Sequence, residues 1–276
     1  MQKGFICPKA HGAHVTIEGC IACNDRCNPL PLQFALLSDR ISDLNVYHVT
    51  EMTAPLQILY LNRTMDYYND PLSSVNMIFG TACHKILEDG LRKMMHNPAE
   101  YTPHVAESHF EHKIKIHDED CTLSGTMDLI VPNEGLLADW KTAGGYKVKL
   151  LKAGVPDPWK EAYFLQLNIY RVFGFPQAKK MTLVFFIKDW NARMLAKDRL
   201  QQVEQVDVPF LDDQSVRLFV YGKMAAAYEC LHGGPAPTCS ADDKGENSWR
   251  CPAYCSVANV CPQLAREEKE RGHARA

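Results

Sequence analysis

The spacing of hydrophobic residues changes from a helical period to an alternating one and back again along the chain. Apolar residues three and four positions apart predict early helices at 31–44, 54–68 and 80–97. Alternating apolar and polar residues then predict strands at 109–116, 121–132 and 135–143. The remaining pattern predicts a helix, a buried strand and a second helix, at 159–175, 181–190 and 211–232. The run Pro-Asn-Glu-Gly at 132–135 predicts a turn, so we expect a hairpin there.

The two ends of the chain lack a sustained apolar period. Residues 1–30 are rich in Cys, His, Gly and Pro, which predicts a small loop-rich module held by a metal rather than by a core. We therefore divide the chain into an N-terminal module, a core, a Cys-rich segment and a solvated tail, at 1–30, 34–232, 233–264 and 265–276.

Length and composition indicate a globular protein. The chain has 276 residues, of which 46% are hydrophobic, enough for one core with small attachments or for two modest domains. A net charge of −3 argues against coating nucleic acid by bulk charge, but it permits a local basic groove beside an acidic centre. No apolar run is as long as a membrane span, and the N-terminus has no basic-then-apolar leader. We expect a soluble cytoplasmic protein without a membrane partner.

Eleven cysteines are many for such a chain, and their distribution is informative. Eight of them form two terminal quartets, Cys7, Cys20, Cys23 and Cys27, and Cys239, Cys251, Cys255 and Cys261. The other three, Cys83, Cys121 and Cys230, are most simply buried thiols. Disulfides are the competing interpretation, but without a secretory leader a reducing compartment favours thiolate ligands for metals.

Two acidic residues in the predicted hairpin, with a lysine two places after the second, form a recognisable chemical unit. Asp139 and Lys141 are two apart and point to one side of their strand, while Trp140 points away. The hairpin partner brings Asp128 beside them. Two carboxylates and a main-chain carbonyl, that of Trp140, form an oxygen cage suited to Mg²⁺ or Mn²⁺. Lys141 can then orient or deprotonate the attacking water and stabilise charge that develops on a phosphate.

An Asp-x-Lys triplet alone is common on protein surfaces, but here it belongs to an ordered set of motifs. The chain carries G-x-x-x-H ending at His84, G-x-x-D ending at Asp128, D-x-K-T starting at Asp139, and Q-x-x-x-Y from Gln166 to Tyr170. This set covers about residues 49–187 and resembles the RecB-like branch of the PD-(D/E)xK nucleases. The segment FFIKDW and the cysteines that follow it resemble the phage and prophage members and the CRISPR-associated RecB-like exonucleases.

This resemblance implies a fold and an activity. The expected fold is α/β (α+β), a restriction-endonuclease-like core with a central mixed β-sheet flanked by helices, plus small Cys-rich metal-binding modules at both termini. The expected activity is a Mg²⁺- or Mn²⁺-dependent deoxyribonuclease, a RecB-like exonuclease that acts in DNA processing, recombination or repair.

The resemblance also assigns roles to residues at the matching positions. His84 is an additional metal ligand, Asp128 and Asp139 are the acidic ligands, and Lys141 is the catalytic lysine. Gln166 and Tyr170 lie one helical turn apart, so both would lie over the site and contact the DNA strand or position the lysine. Judged alone, Tyr170 is as readily a core aromatic. Glu107 or Glu111 could add a further acidic group to the site, but the surface is the expected place for either.

The C-terminal quartet departs from the pattern of the iron-sulfur members. In those proteins a cysteine ahead of the core joins three near the C-terminus to hold a [4Fe-4S] cluster. This chain has Ala54-Pro55 where that cysteine is expected, and Cys239 is the nearest replacement. Four thiolates suit either zinc or a [4Fe-4S] cluster, and the resemblance favours the cluster in a structural role.

The N-terminal quartet contains the C-x-x-C spacing that zinc sites favour, between Cys20 and Cys23. We therefore expect Zn²⁺ on the four N-terminal cysteines. His11 or His14 could replace Cys27 as a ligand.

DNA is the expected partner. The nearest basic residues follow the Asp-x-Lys strand, at Lys147, Lys149 and Lys152, and contacts of this kind bind phosphates without sequence preference. Single strands or ends fit a processing exonuclease best, although flap or endonuclease activity remains open. The alternative function is a metal-stabilised DNA-binding or scaffold subunit that serves a recombination or helicase protein.

Overall fold

The computed structural model describes residues 2–37, 43–71, 75–95, 104–155, 158–245, 250–251 and 255–273. Their contacts divide the chain into two compact units. The first, called the cysteine unit, comprises Met1–Leu44, Ala54–Ile78 and Ala225–Ala276, and the second, called the sheet unit, comprises Asn45–Thr53 and Phe79–Met224. This division differs from the linear one expected from the sequence, because both Cys-rich ends fall in one unit together with residues 54–78.

The described residues form nine strands, which are β1 Gln2–Cys7, β2 Ala13–Thr16, β3 Val46–His48, β4 Tyr67–Asn69, β5 Val105–Ile116, β6 Glu119–Val131, β7 Leu136–Ala143, β8 Lys180–Ile187 and β9 Val203–Asp207. The helices are α1 Ile17–Ala22, α2 Leu30–Ala35, α3 Val49–Met52, α4 Leu56–Thr64, α5 Val75–Met95, α6 Gly145–Lys152, α7 Pro158–Phe173, α8 Ala192–Asp198, α9 Asp213–Leu231, α10 Ala241–Lys244 and α11 Pro262–His273, with a 3₁₀ turn at Ala258–Val260. None of these described helices is both long and apolar enough to cross a membrane.

The sheet unit is built on a mixed six-stranded sheet. Its strand order is β3-β6-β7-β8-β9, and β5 also pairs with β6. The β3–β6 and β7–β8 pairs are parallel, whereas β5–β6, β6–β7 and β8–β9 are antiparallel. The expected α/β class with a mixed sheet flanked by helices is confirmed at this level.

Strand β6 lies at the centre of this arrangement and has an unusual edge. β5 pairs with it from Glu119 to Ile130, whereas β3 and β7 pair with separate parts, Thr122–Ser124 and Leu129–Val131. Because a strand has two edges and β5 occupies one of them, β3 and β7 must share the other. The described strands therefore leave Gly125–Asp128 unpaired on that edge, and the G-x-x-D motif occupies this opening.

The predicted hairpin between β6 and β7 is confirmed. Leu129 pairs with Ala138 and Val131 with Leu136, and Gly135 closes the turn with a φ of +65°. A side chain at Gly135 would be strained in this left-handed conformation, and its Cβ would lie 2.9 Å from Lys179. The turn fixes the register and so determines which residues of β7 lie opposite the opening in β6.

The two faces of the sheet are covered by different helices. Leu91 of α5 packs against one face in a buried cluster with Leu129, Val131, Ala138 and Val184, and Trp140 joins its margin. On the other face Tyr163 of α7 lies beside Phe185, with ring centroids 6.4 Å apart. Side chains alternate along β7 as predicted, so Trp140 faces α5 and Lys141, which lies beside Tyr163, faces α7.

The cysteine unit contains a smaller sheet of order β2-β1-β4. β1 and β2 form an antiparallel hairpin, and β1 pairs in parallel with β4. A buried cluster of Leu61, Tyr67 and Val257 joins α4 and β4 to the C-terminal segment. The N-terminal module is thus not only loop-rich, because a hairpin and a short helix organise it.

Three sequence expectations differ from the structure in detail. The stretch after β7 is rich in Gly and Lys, a composition that predicts a loop, but it forms helix α6, because Val148 and Leu151 are buried three positions apart. The tail expected from residue 265 belongs to helix α11 as far as His273. The first two predicted helices are shorter in the structure: α2 ends at Ala35, α4 ends at Thr64, and β4 begins at Tyr67. Residues 38–42 of the first prediction lie outside the described residues.

Candidate metal centre

The candidate centre lies at the opening in β6, where side chains from five elements meet. Asp128 is 7% exposed, and its Oδ2 accepts a hydrogen bond from the backbone N–H of Trp140 at 2.7 Å. This bond replaces the ladder pairing that ends at Leu129 and Ala138. The carboxylate therefore fastens β7 to β6 and keeps its other oxygen, Oδ1, for further contacts.

His84 reaches this carboxylate from helix α5. Its Nδ1 lies 3.5 Å from Asp128 Oδ1 and 3.8 Å from Glu107 Oε1, while its Nε2 lies 3.2 Å from the Trp140 carbonyl oxygen. One ligand atom from each of His84, Glu107 and Asp128 can be chosen so that all lie within 4.8 Å of one another. Nitrogen and oxygen donors at this spacing suit a divalent cation.

Asp139 and Lys141 lie on the other side of Asp128, against α7. Lys141 Nζ is 2.5 Å from Asp139 Oδ2 and lies 4.9 Å from the centroid of the Tyr163 ring. Asp139 is only 1% exposed, and the Lys141 ammonium compensates the charge of this buried carboxylate. Metal ligation by Asp139 stays a prediction.

Helix α7 adds two polar groups to the centre. Gln166 Nε2 donates to Asp139 Oδ1 at 3.4 Å and to Tyr170 Oη at 3.1 Å, and both residues are buried. The helix approaches closely because Gly125 has no side chain. A Cβ on Gly125 would lie 2.8 Å from Tyr170 and from Phe110. The Gly of the G-x-x-D motif thus makes room for the Tyr of Q-x-x-x-Y.

The electrostatics of the centre are those of buried like charges. Burial, followed by the neighbouring Asp139 carboxylate, raises the pKa of Asp128 to about 8. Burial works to lower the pKa of Lys141, but the Asp139 and Asp128 carboxylates outweigh it and hold this pKa above its usual value. Burial, followed by Asp139, raises the pKa of Tyr170 to about 12. Lys141 is therefore a cation and Tyr170 a neutral phenol at neutral pH.

The sequence prediction of this centre was incomplete at one position. His84, Asp128, Asp139, Lys141, Gln166 and Tyr170 and the Trp140 carbonyl are brought together as expected. Glu107 is exposed, as expected, but its carboxylate also lies beside His84 and Asp128 in a group that could hold a metal ion. Glu111 does lie at the surface, 62% exposed beside His109. Strand β5 begins four residues before the predicted strand, and this extension carries Glu107.

The lysines expected to contact DNA lie on helix α6 and largely face other partners. Lys149 Nζ is 2.6 Å from Asp198, and Lys152 Nζ is 2.6 Å from Glu204. Lys147 is half-buried on the same helix. The charges of Lys149 and Lys152 are compensated within the protein, and DNA contact by these lysines stays a prediction.

The four C-terminal cysteines line one pocket in the cysteine unit, which is also lined by the apolar residues Ile58, Leu61 and Val257. The backbone N–H of Cys239 donates to Gln57 Oε1 at 3.1 Å, and that of Leu264 donates to Cys261 Sγ at 3.5 Å. Because Gln57 follows Pro55 by two positions, the segment that lacks the upstream cysteine reaches the same pocket. Burial raises the pKa of Cys239 to about 12, and Asp243 raises it further.

The four N-terminal cysteines also interact with one another. Cys7 ends β1, Cys20 lies in α1, and the backbone N–H of Cys23 donates to the Cys20 carbonyl at 3.4 Å. Burial raises the pKa of Cys20, and the Cys27, Cys7 and Cys23 thiols raise it further. Across the described residues, however, no three cysteine sulfurs all lie within 4.8 Å of one another. Zinc with bonds of about 2.3 Å holds sulfurs about 3.8 Å apart, so either quartet must contract to bind zinc.

Comparison with known proteins supports the fold. No protein-family model matches the chain, and no curated protein matches it. Among solved structures, the chain is similar to the crystal structure of SSO0001, with 17% sequence identity and a TM-score of 0.50, over 84% of this chain and 92% of that one. At this identity the likeness describes the fold alone, and that fold is a mixed sheet flanked by helices.

Proposed function

We propose that this protein is a metal-dependent deoxyribonuclease of the RecB-like PD-(D/E)xK class. The observation that carries the proposal is the convergence of the four motifs, which are far apart in sequence, on the opening in β6. His84, Asp128 and the Trp140 carbonyl meet at one point, and Asp139, Lys141 and Gln166 adjoin it. Random surface triplets of the Asp-x-Lys type do not acquire such neighbours.

The residues present suit a hard divalent cation. Asp128, Asp139, His84 and the Trp140 carbonyl would hold Mg²⁺ or Mn²⁺, which supplies a more acidic bound water and neutralises charge on the phosphate. Lys141 holds its proton and faces this site, so it orients the attacking water and stabilises the developing phosphate charge. Gln166 holds Asp139 in place, and Tyr170 donates its phenolic proton to a phosphate or water.

DNA with free ends is the substrate we favour. The side chains of His84 and Glu107 are partly exposed, whereas Asp139 and Lys141 are largely buried behind them, so a phosphate reaches the centre from one side. A single strand can bring its backbone to such a recessed centre more readily than an intact duplex. An exonuclease that acts on single strands or ends is therefore the specific form of the proposal.

Metal binding by the cysteine quartets completes the proposal. The pocket shared by Cys239, Cys251, Cys255 and Cys261 is proposed to hold a structural [4Fe-4S] cluster, because all four thiols line it and the resemblance favours the cluster over zinc. The N-terminal quartet is proposed to bind Zn²⁺ on Cys7, Cys20, Cys23 and Cys27, which lie on short elements that few buried side chains hold. In both cases the metal would stabilise the cysteine unit rather than take part in hydrolysis.

The activity is tested with the purified chain, Mg²⁺ or Mn²⁺, and labelled linear and circular DNA in single- and double-stranded forms. Wild type is expected to degrade linear DNA, and Asp139→Asn and Lys141→Ala to lose about 10²-fold or more of the rate. Loss of linear but not circular substrate indicates an exonuclease, whereas nicking of circles indicates an endonuclease.

Matched controls come from the neighbouring strands β8 and β9 of the same sheet. Lys180 pairs with Leu136 at the far end of β7, and its Nζ lies 3.2 Å from Asp207. Lys180→Ala and Asp207→Asn are expected to cut as wild type does. If wild type binds DNA but cuts neither form, the scaffold alternative is favoured; if Asp139→Asn and Lys141→Ala cut at the wild-type rate, the assigned centre is wrong.

A further inference from the structure

Glu107 occupies a position that the four motifs do not include. It lies near the start of β5, and its side chain faces His84 with Oε1 3.8 Å from Nδ1. We infer that Glu107 is a ligand of the divalent cation, together with His84 and Asp128. This inference rests on the proposed function and adds one acidic ligand to it.

The strand registers place three carboxylates in a row across the sheet. Ala106 pairs with Leu129 and Ser108 with Met127, so Glu107 lies directly opposite Asp128. On the other side the β6–β7 pairing ends at Leu129 and Ala138, and Asp139 is the first residue of β7 beyond it, with its charge acting on Asp128. Directly opposed residues of antiparallel strands have neighbouring side chains. Asp128 is therefore flanked by a carboxylate from each adjoining strand.

Distances favour the Glu107 side as a cation position. Ligands on bonds of about 2.1 Å can lie at most about 4.2 Å apart, twice the bond length. The ligand atoms of His84, Glu107 and Asp128 lie within 4.8 Å of one another, so shifts of a few tenths of an ångström bring all three onto one ion. On the Asp139 side, Lys141 already contacts the carboxylate.

The balance of charge also favours a cation at this row. Asp139 is buried and its Oδ2 is ion-paired with Lys141 Nζ at 2.5 Å, so Lys141 is already engaged, and His84 is the basic side chain that faces both Asp128 and Glu107. Three neighbouring carboxylates, two of them buried, have one lysine and one histidine beside them. A divalent cation supplies the positive charge that such a group requires.

The experiment measures Mn²⁺ binding directly, by electron paramagnetic resonance titration of the full chain without DNA. Glu107→Gln keeps the shape of the side chain and removes its charge, and we expect Mn²⁺ affinity to fall about 10- to 100-fold. Glu107→Asn is a second variant, because asparagine tolerates the left-handed backbone found here, with a φ of +48°. Glu111→Gln, on the same strand, is the matched control and is expected to bind Mn²⁺ as wild type does.

The outcomes separate this inference from the nuclease proposal. If both Glu107 variants bind Mn²⁺ as tightly as wild type while Asp128→Asn does not, Glu107 is no ligand and the nuclease proposal stands. If Asp128→Asn also binds normally, the proposed centre itself is wrong. If the Glu107 variants lose affinity in a protein that cuts no DNA, Glu107 is a ligand and only the nuclease activity is overturned.

Discussion

Asp128 shows how a single residue can be placed for chemistry at the expense of stability. Its pKa rises to about 8 because the carboxylate is buried and faces Asp139. In an unfolded chain the same group ionises near pH 4. Between these values the folded protein binds a proton that the unfolded chain has released, so the stability of the metal-free protein falls as the pH rises through this window.

Removing the charge of Asp128 should therefore stabilise the metal-free protein. Asp128→Asn keeps an oxygen for the Trp140 N–H, and in the presence of a chelator we expect it to unfold several degrees above wild type at pH 8, for a gain of about 1–3 kcal/mol. The difference should shrink as the pH falls toward about 3, because Asp128 is then mostly protonated in both states. Thermal unfolding followed by circular dichroism from about pH 3 to 8 measures this difference.

Adding Mg²⁺ should reverse the order of stability. The cation replaces the proton on Asp128 of wild type and raises its unfolding temperature, whereas Asp128→Asn should respond weakly. A variant that is less stable than wild type at every pH without metal would show that Asp128 is not a destabilising buried charge.

The ligand residues differ in how much of their role is visible in the sequence. Asp128, Asp139 and Lys141 follow from strand alternation, because the period of two fixes which side chains share a face. Glu107 was expected at the surface, since its role depends on the β5–β6 register and on His84, which comes from a helix 23 positions earlier. The local pattern of apolar and polar residues does not indicate that Glu107 and His84 lie close together.

At the scale of helices and strands, the close approach of helix α7 to strand β6 can be tested by substituting the glycine of the G-x-x-D motif. Gly125→Ala places a methyl group 2.8 Å from Tyr170 and Phe110, which must move. We expect a loss of about 1–3 kcal/mol of stability and reduced nuclease activity, because Tyr170 and Gln166 shift together.

Gly80, the glycine of the His84 motif, is the matched comparison. A Cβ there would meet only Thr142 Oγ1, at 3.8 Å, which is ordinary contact. Gly80→Ala in helix α5 should therefore be neutral or stabilise the protein by up to about 1 kcal/mol. Urea unfolding of the two variants beside wild type checks both signs, and equal destabilisation would refute the distinction.

Helix α6 depends on a contact from a distant part of the chain. The backbone N–H of Gly145 at its first position donates to Asp189 Oδ1 at 2.7 Å, and Gly144, the residue before it, offers no side-chain cap. Asp189→Ala should cost about 1 kcal/mol, whereas Asp189→Asn, which keeps an acceptor oxygen, should recover most of it. Thermal unfolding measures both, and equal losses would mean that the cap is not the cause.

This dependence explains why α6 was predicted as a loop. Its sequence begins with two glycines and lacks a local cap, so intrinsic preference opposes a helix. The cap comes from Asp189, which follows β8, and burial of Val148 and Leu151 fixes the helix. The hairpin of β6 and β7, by contrast, was predictable because its turn residues are contiguous in sequence.

At the level of the whole molecule, the sequence did not reveal which segments belong to the same compact unit. The linear pattern placed the two Cys-rich ends in separate modules, but both belong to the cysteine unit. Pairing of β1 with β4 and burial of Val257 beside Leu61 create this unit. Both contacts join segments about 60 or more residues apart, and amino-acid composition does not predict which distant segments pair. We infer that metal bound at either quartet stabilises the same unit.

Metal loss from the C-terminal quartet should accordingly destabilise the protein. Cys239→Ser removes one of the four thiols that line the pocket, and we expect the iron or zinc bound there to be lost and the unfolding temperature to fall by several degrees. Cys230→Ser, in helix α9 and outside both quartets, is the matched control and should keep the wild-type metal content. Protein purified without oxygen is analysed for metal per chain and by thermal unfolding.

The same samples identify the metal. Absorbance near ~400 nm that disappears in Cys239→Ser indicates the iron-sulfur cluster, whereas colourless wild-type protein whose zinc content falls in the variant indicates zinc. Because Cys239 has a pKa near 12 without metal, ligation releases a proton, and metal retention should weaken as the pH falls. If Cys239→Ser keeps both the metal content and the unfolding temperature of wild type, the shared pocket does not bind metal and another force must hold the C-terminal segment of the cysteine unit.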